Sequence, residues 1–179
     1  MTDTTPTESN LSGLDRKDFQ KNINSRKTDL YILKNAQGME VAVTNYGCAI
    51  LSIMVPDKNG KFANVILGHD SIEHVINSPE PFLSTTIGRY GNRIANGKFT
   101  LYGEEHQLTV NNGPNSLHGG PTGFHARVWD AVQPNESTVI FNYTSADGEE
   151  GFPGTLEIEM TYRCLLYTSP SPRDRSVSR

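Results

Sequence analysis

Thr155-Leu156-Glu157-Ile158-Glu159-Met160-Thr161-Tyr162 alternates without a break. Leu156, Ile158, Met160 and Tyr162 fall on one side; Thr155, Glu157, Glu159 and Thr161 fall on the other. Successive strand residues point to opposite faces, so the stretch reads as an antiparallel strand with one buried and one wet face. The same signal recurs toward the N-terminus. Residues 137–144 place Val139, Phe141 and Tyr143 on one side, and residues 127–133 contain the single tryptophan, Trp129. Residues 98–101 and 105–110 flank Tyr102-Gly103-Glu104 as a hairpin. Residues 28–34 and 39–45 form another around Asn35-Ala36-Gln37-Gly38. Residues 48–55 are a more continuously apolar strand, closed by the turn residues Pro56-Asp57-Lys58-Asn59-Gly60, and residues 64–67 are a short strand. Residues 71–76 allow a turn or two of helix before Ser78-Pro79-Glu80-Pro81 stops it. Many short strands joined by Gly and Asn turns, with no long helical period, predict an all-β sandwich or barrel.

The two ends differ from this pattern. Residues 1–27 are polar, with Leu11, Leu14, Phe19 and Ile23 as the apolar anchors, and are expected to be a flexible arm. Residues 164–179 carry two prolines, many serines and no period, and are expected to be disordered. The ordered domain is therefore expected over residues 28–163.

Composition narrows the function classes. The 179 residues suffice for one cored domain, and a net charge of -4 excludes a strongly basic nucleic-acid binder. No run approaches the roughly 20 apolar residues of a membrane helix. The N-terminus lacks the basic and apolar regions of a signal peptide. The two cysteines, Cys48 and Cys164, are far apart and form no framework, which fits a reduced, cytoplasmic setting.

The chemistry concentrates between Gly88 and Gly120. Gly88-Arg89-Tyr90-Gly91-Asn92-Arg93 and Asn111-Asn112-Gly113-Pro114-Asn115-Ser116-Leu117-His118 are Gly- and Asn-rich loops, each with one strong functional group, Arg93 and His118. Neither is a P-loop or a dinucleotide fingerprint, because the required Lys-Ser/Thr or strand-to-helix context is missing. His69, His74, His106, His118 and His125 lack the spacing and carboxylates of common metal sites, so no metal is expected. An Arg fork holds two adjacent hydroxyls, a His donates to or accepts from oxygen, and Asn92 and Asn96 add amides. The set suits a neutral sugar better than a phosphate.

The sequence resembles the aldose 1-epimerase (galactose mutarotase) family. The likeness rests on Asn45-Tyr46-Gly47, Val55-Pro56-Asp57-Lys58-Asn59-Gly60, Ile66-Leu67-Gly68, the Gly88–Phe99 run, Asn111–Gly120 and Asp147–Gly154, in that order. It implies a large antiparallel β-sandwich with a concave sugar-binding face, and interconversion of the anomers of free aldohexoses such as galactose and glucose, with no metal or cofactor. By motif, Arg93 matches the substrate-binding arginine with Asn92 beside it, and His118 the first active-site histidine, which contacts the sugar and supports catalysis. The family's general acid histidine, in Asn-His-x-Tyr-Phe-Asn, its later sugar-binding aspartate and its C-terminal general base glutamate have no counterpart. The resemblance ends at Arg163, so the chain is expected to be the N-terminal half of such a protein with a foreign tail, inactive and poorly soluble.

Two other readings stay open at this stage. One is a non-catalytic carbohydrate-binding sandwich that keeps Arg93 and His118. The other is a hexose-6-phosphate epimerase, for which Arg89 and Arg127 are the candidate phosphate cations. Oligomeric state is not readable from the sequence.

Overall fold

A computed structural model of the chain describes residues 10–165. The order begins with a 3-10 turn at Arg16–Phe19 and a small ribbon of β1 (Asn22–Ile23) and β2 (Arg26–Lys27). β3 (Leu30–Lys34), β4 (Glu40–Thr44), β5 (Ile50–Pro56) and β6 (Phe62–Asn64) then form a four-stranded antiparallel meander. After α1 (Ile72–Ile76) come β7 (Arg93–Ile94), a hairpin of β8 (Lys98–Leu101) and β9 (Glu104–Gln107), and β10 (Ser116–Leu117), which pairs back onto β7. β11 (Asp130–Asn135), β12 (Thr138–Ser145) and β13 (Leu156–Arg163) make a three-stranded antiparallel sheet. The all-β expectation holds.

Alternation along β4 explains the layering. Val43 points into a core shared with the second sheet, where Leu33, Cys48, Phe124, Trp129, Val139 and Phe141 are buried. Ala42 points the other way, into a cluster with Phe19, Leu30, Leu51, Ile72 and Val75. The first sheet is thus covered on both faces, by the second sheet on one and by the N-terminal segment with α1 on the other. Asn45 ties the layers together. Its side chain accepts from the Asp29 amide and donates to the carbonyls of Lys27 and Trp129, while its own carbonyl takes the Trp129 amide. A buried amide with every partner made fixes register as well as affinity.

Several boundaries move from their sequence reading. Residues 10–27 are not a free arm. Phe19 is fully buried, and both oxygens of the buried Glu40 carboxylate accept backbone amides, from Leu11 at 2.9 Å and Ser12 at 3.1 Å. The expected strand over 64–67 lies earlier, because the Asn64 Oδ1 accepts from Ile53 and Ile66 amides and so replaces the ladder. Residues 127–129 belong to no strand of the second sheet: Gly47 donates to the Arg127 carbonyl and Tyr46 bridges Val128. Cys164, placed at the start of a disordered tail, is buried, and its amide donates to the Ser137 carbonyl. The rest of that expected tail, 166–179, and the first nine residues of the expected arm lie outside the described residues.

Candidate functional site

β7 and β10 are two residues each, and their pairing brings the two predicted groups together. Leu117 stands opposite Arg93 and Ser116 opposite Ile94. One step beyond the ladder, Asn92 and His118 exchange bonds. The His118 amide donates to the Asn92 carbonyl at 3.0 Å, and the Asn92 amide donates to His118 Nδ1 at 2.9 Å. Both residues have positive φ, 71° for Asn92 and 54° for His118, which is how the two chains turn tightly enough to meet. Because Nδ1 accepts, the ring proton of the neutral imidazole sits on Nε2. The His118 ring is therefore oriented with Nε2 as its donor atom. The Phe82 ring packs against it at 4.7 Å between centroids.

Arg93 is held from one side. Its Nε donates to Asn112 Oδ1 at 2.9 Å and its Nη1 to Asn92 Oδ1 at 3.3 Å. Both acceptors are neutral, and among the described residues no carboxylate pairs with it. Arg93 lines an open cleft together with Tyr90, Ile94, Phe99, Leu101, Phe152 and Arg89. Tyr90 is 51% exposed, so a flat aromatic face is available beside the cation. A fork with free donors beside an aromatic surface suits adjacent hydroxyls and the C–H face of a ring.

The glycines are required by contact. A Cβ on Gly119, where φ is 87°, would sit 1.8 Å from the Gly88 carbonyl oxygen. One on Gly88 would overlap the Phe124 ring at 2.2 Å. The two loops are stacked on each other without room for side chains.

Other candidates are accounted for differently. The Arg89 guanidinium is bonded to Ser145 Oγ and to the carbonyls of Ser145, Ala146 and Pro153, and lies over the Phe152 ring. Arg127 pairs with Glu149 at 3.6 Å and donates to Thr122. Both arginines hold the fold around the 145–154 loop. Glu149 accepts from Tyr143 and Ser145, and Glu150 from the Thr122 amide and hydroxyl. His125 is buried and also packs against Phe82, at 4.6 Å between centroids, and burial lowers its pKa to about 4. Among the described residues no three metal-ligating side chains gather, and no helix is long and apolar enough to cross a membrane. Phe82, Asn111, Asn112 and His125 were not singled out as site residues by the sequence. The Asn-Asn-Gly-Pro-Asn run was visible as a turn, but not its grip on Arg93.

Comparison with known proteins supplies a family. The aldose 1-epimerase family profile matches residues 29–164. Galactose mutarotase of Bos taurus is 41% identical over 124 residues, covering 69% of this chain and 36% of that protein. Aldose 1-epimerase of Escherichia coli (strain K12) is 41% identical over 134 residues, covering 75% of this chain and 38% of that protein. The chain thus spans little more than a third of the length of the curated relatives it matches. Among solved structures, a GalM/aldose epimerase homologue from C. elegans superposes with a TM-score of 0.72 at 32% identity, covering 76% of this chain and 42% of that one. Galactose 1-epimerase from Lactobacillus acidophilus NCFM superposes with a TM-score of 0.69 at 30% identity, covering 79% and 42%.

Proposed function

The chain belongs to the aldose 1-epimerase family, and on that premise we propose that the β7–β10 ribbon is the sugar-binding part of a mutarotase site. The reaction would interconvert the α and β anomers of free aldohexoses such as galactose and glucose. The observation that carries the reading is the reciprocal bonding of Asn92 and His118 beside an Arg93 with free donors. In this reading Arg93 holds two neighbouring hydroxyls, Tyr90 meets the ring face, and the His118 Nε2 proton is donated to a sugar oxygen. Asn92 and Asn112 orient the guanidinium.

Anomer exchange requires the ring to open and reclose. One group gives a proton to the ring oxygen while another removes the proton of the anomeric hydroxyl. His118 supplies a donor next to such an oxygen. Among the described residues near it, Glu149 and Glu150 are committed to structural partners and His125 is buried. Among the described residues neither the general acid histidine nor the general base glutamate that the family resemblance implies has a candidate, and the lack of each costs on the order of 10²–10⁴ in rate. The 179-residue chain by itself is therefore assigned as a sugar binder that accelerates exchange little. The engagement of Arg89 and Arg127 argues against a phosphorylated substrate. The two buried, unpaired cysteines fit a cytoplasmic protein.

The test is a galactose titration followed by NMR, with polarimetry on freshly dissolved α-galactose. Saturable shifts centred on Arg93 and His118, with exchange near the spontaneous rate, are expected. No binding would reject the site. Exchange at an enzymatic rate would show that the chain holds both proton-transfer groups.

A further inference from the structure

One short loop is bonded to Arg93 and to the residue that precedes His118. The segment 111–115 closes on itself: the amides of Asn111 and Asn112 donate to the Asn115 carbonyl, and the Asn115 amide returns to the Asn112 carbonyl. From this closed turn two side chains reach out. Asn111 Oδ1 accepts from the Leu117 amide at 2.6 Å and its Nδ2 donates to the Leu117 carbonyl at 3.0 Å. Leu117 is the residue before His118 and the partner of Arg93 across the ribbon. Asn112 Oδ1 takes the Nε proton of Arg93. A third amide, Asn115, accepts from the Asn96 backbone and anchors the turn to the strand side that carries Arg93.

We propose that Asn111 and Asn112 are positioning residues that set Arg93 and His118 relative to each other, so that one turn aligns both ends of a bound aldose. The inference rests on the sugar-binding reading of the ribbon. Its physical content is in the choice of atoms. Asn112 uses the inner edge of the guanidinium, Nε, and Asn92 takes one Nη1 proton, which leaves Nη2 and the second Nη1 proton for hydroxyls. An arginine without that anchor keeps its charge but loses its fixed plane, and a bidentate contact depends on the plane. Asn111 mimics a strand partner for Leu117, which holds a two-residue ladder too short to persist alone. The sequence separation is small, but the two asparagines act on opposite strands.

The experiment uses the full chain with Asn112→Ala, Asn112→Asp, Asn111→Ala and the Asn111→Ala/Asn112→Ala pair. Galactose affinity is measured by NMR titration. The Arg93 Nε–H resonance and the His118 ring nitrogens are read in the same samples. Asn112→Ala is expected to weaken galactose binding about tenfold and to bring Arg93 Nε–H into fast exchange, with the backbone spectrum of both sheets unchanged. Asn112→Asp keeps the acceptor and restores the slow Nε–H and most of the affinity. Asn111→Ala shifts the His118 Nδ1 signal away from its hydrogen-bonded position. The double variant loses less than the sum of the two, because both act through one turn.

Wild-type affinity in Asn112→Ala, or an Nε–H signal indifferent to residue 112, overturns the proposal. If the wild-type chain binds no galactose, the sugar reading fails by itself. The Nε–H and Nδ1 signals then still decide whether the turn positions the two side chains.

Discussion

Phe82 packs against two imidazoles of different character. His118 has its Nδ1 committed to the Asn92 amide. His125 is buried, with an Nδ1 that finds no partner among the described residues. Burial is the main reason its pKa is lowered from 6.5 to about 4; the neighbouring His118 imidazole and the Arg127 charge push the same way, and Glu150 with the Pro121 carbonyl opposes them. The sign of the consequence follows from linkage. Between about pH 6.5 and pH 4 the unfolded chain takes up a proton that the folded chain refuses, so stability falls as the pH falls through that window. It is fully present above about 6.5. The shift corresponds to roughly 3 kcal/mol. Urea denaturation of the wild type and His125→Asn at pH 7.5 and 4.5 checks this. The wild type should lose more stability than the variant by about that amount, and equal losses would mean that His125 does not titrate in this range. Residue 125 has a neutral partner in the Phe82 ring, so its substitution leaves the polar contacts of Arg93 in place.

At the scale of elements, the first sheet owes one of its covers to a carboxylate. Glu40, fully buried on β4, accepts the amides of Leu11 and Ser12 from 29 and 28 residues away. A buried acceptor holding two backbone donors is costly to remove, on the order of 1–3 kcal/mol. Glu40→Ala should therefore release residues 10–14 without dissolving the meander. Limited proteolysis reads it directly: cleavage ahead of Phe19 should appear in the variant and not in the wild type, and an unchanged pattern would mean that Phe19 alone holds the segment. The same contact explains what the sequence left hidden. The strands over 39–45, 137–144 and 155–162 are readable because alternation is a local property, and 48–55 because an apolar run bounded by turn residues is one too. The N-terminal segment looked loose because its anchors are one aromatic and a glutamate in a distant strand, and neither leaves a periodic trace. Asn92, Arg93 and His118 stood out through their Gly- and Asn-rich loops and their motif likeness. Phe82 and Asn112 did not, because only tertiary pairing brings them to the ribbon.

At the scale of the whole molecule, the second sheet ends, among the described residues, in a strand with one unpaired edge. β13 pairs with β12 along its full length, and among the described residues nothing pairs with its outer edge. Ile158, Met160 and Tyr162 lean into the core while Glu157, Glu159, Thr161 and Arg163 face out. A strand edge of eight residues left unpaired by the described residues is a template for another strand, and charges directly opposite one another decide which partner fits. A second copy fits well. Antiparallel self-pairing about Met160 sets Ile158 against Tyr162, Glu157 against Arg163 and Glu159 against Thr161, and a two-fold axis repeats each pair. No like charges meet in that register. The chain should therefore sediment as a dimer or larger species at tens of micromolar and dissociate on dilution. Thr161→Glu places a carboxylate opposite Glu159 at both symmetry-related positions, on an exposed site where the fold loses little. Sedimentation velocity across a dilution series should show this variant shifted toward monomer. A wild-type chain that is monomeric at every concentration, or a variant that associates as the wild type does, would mean that the β13 edge is closed by something other than a second copy.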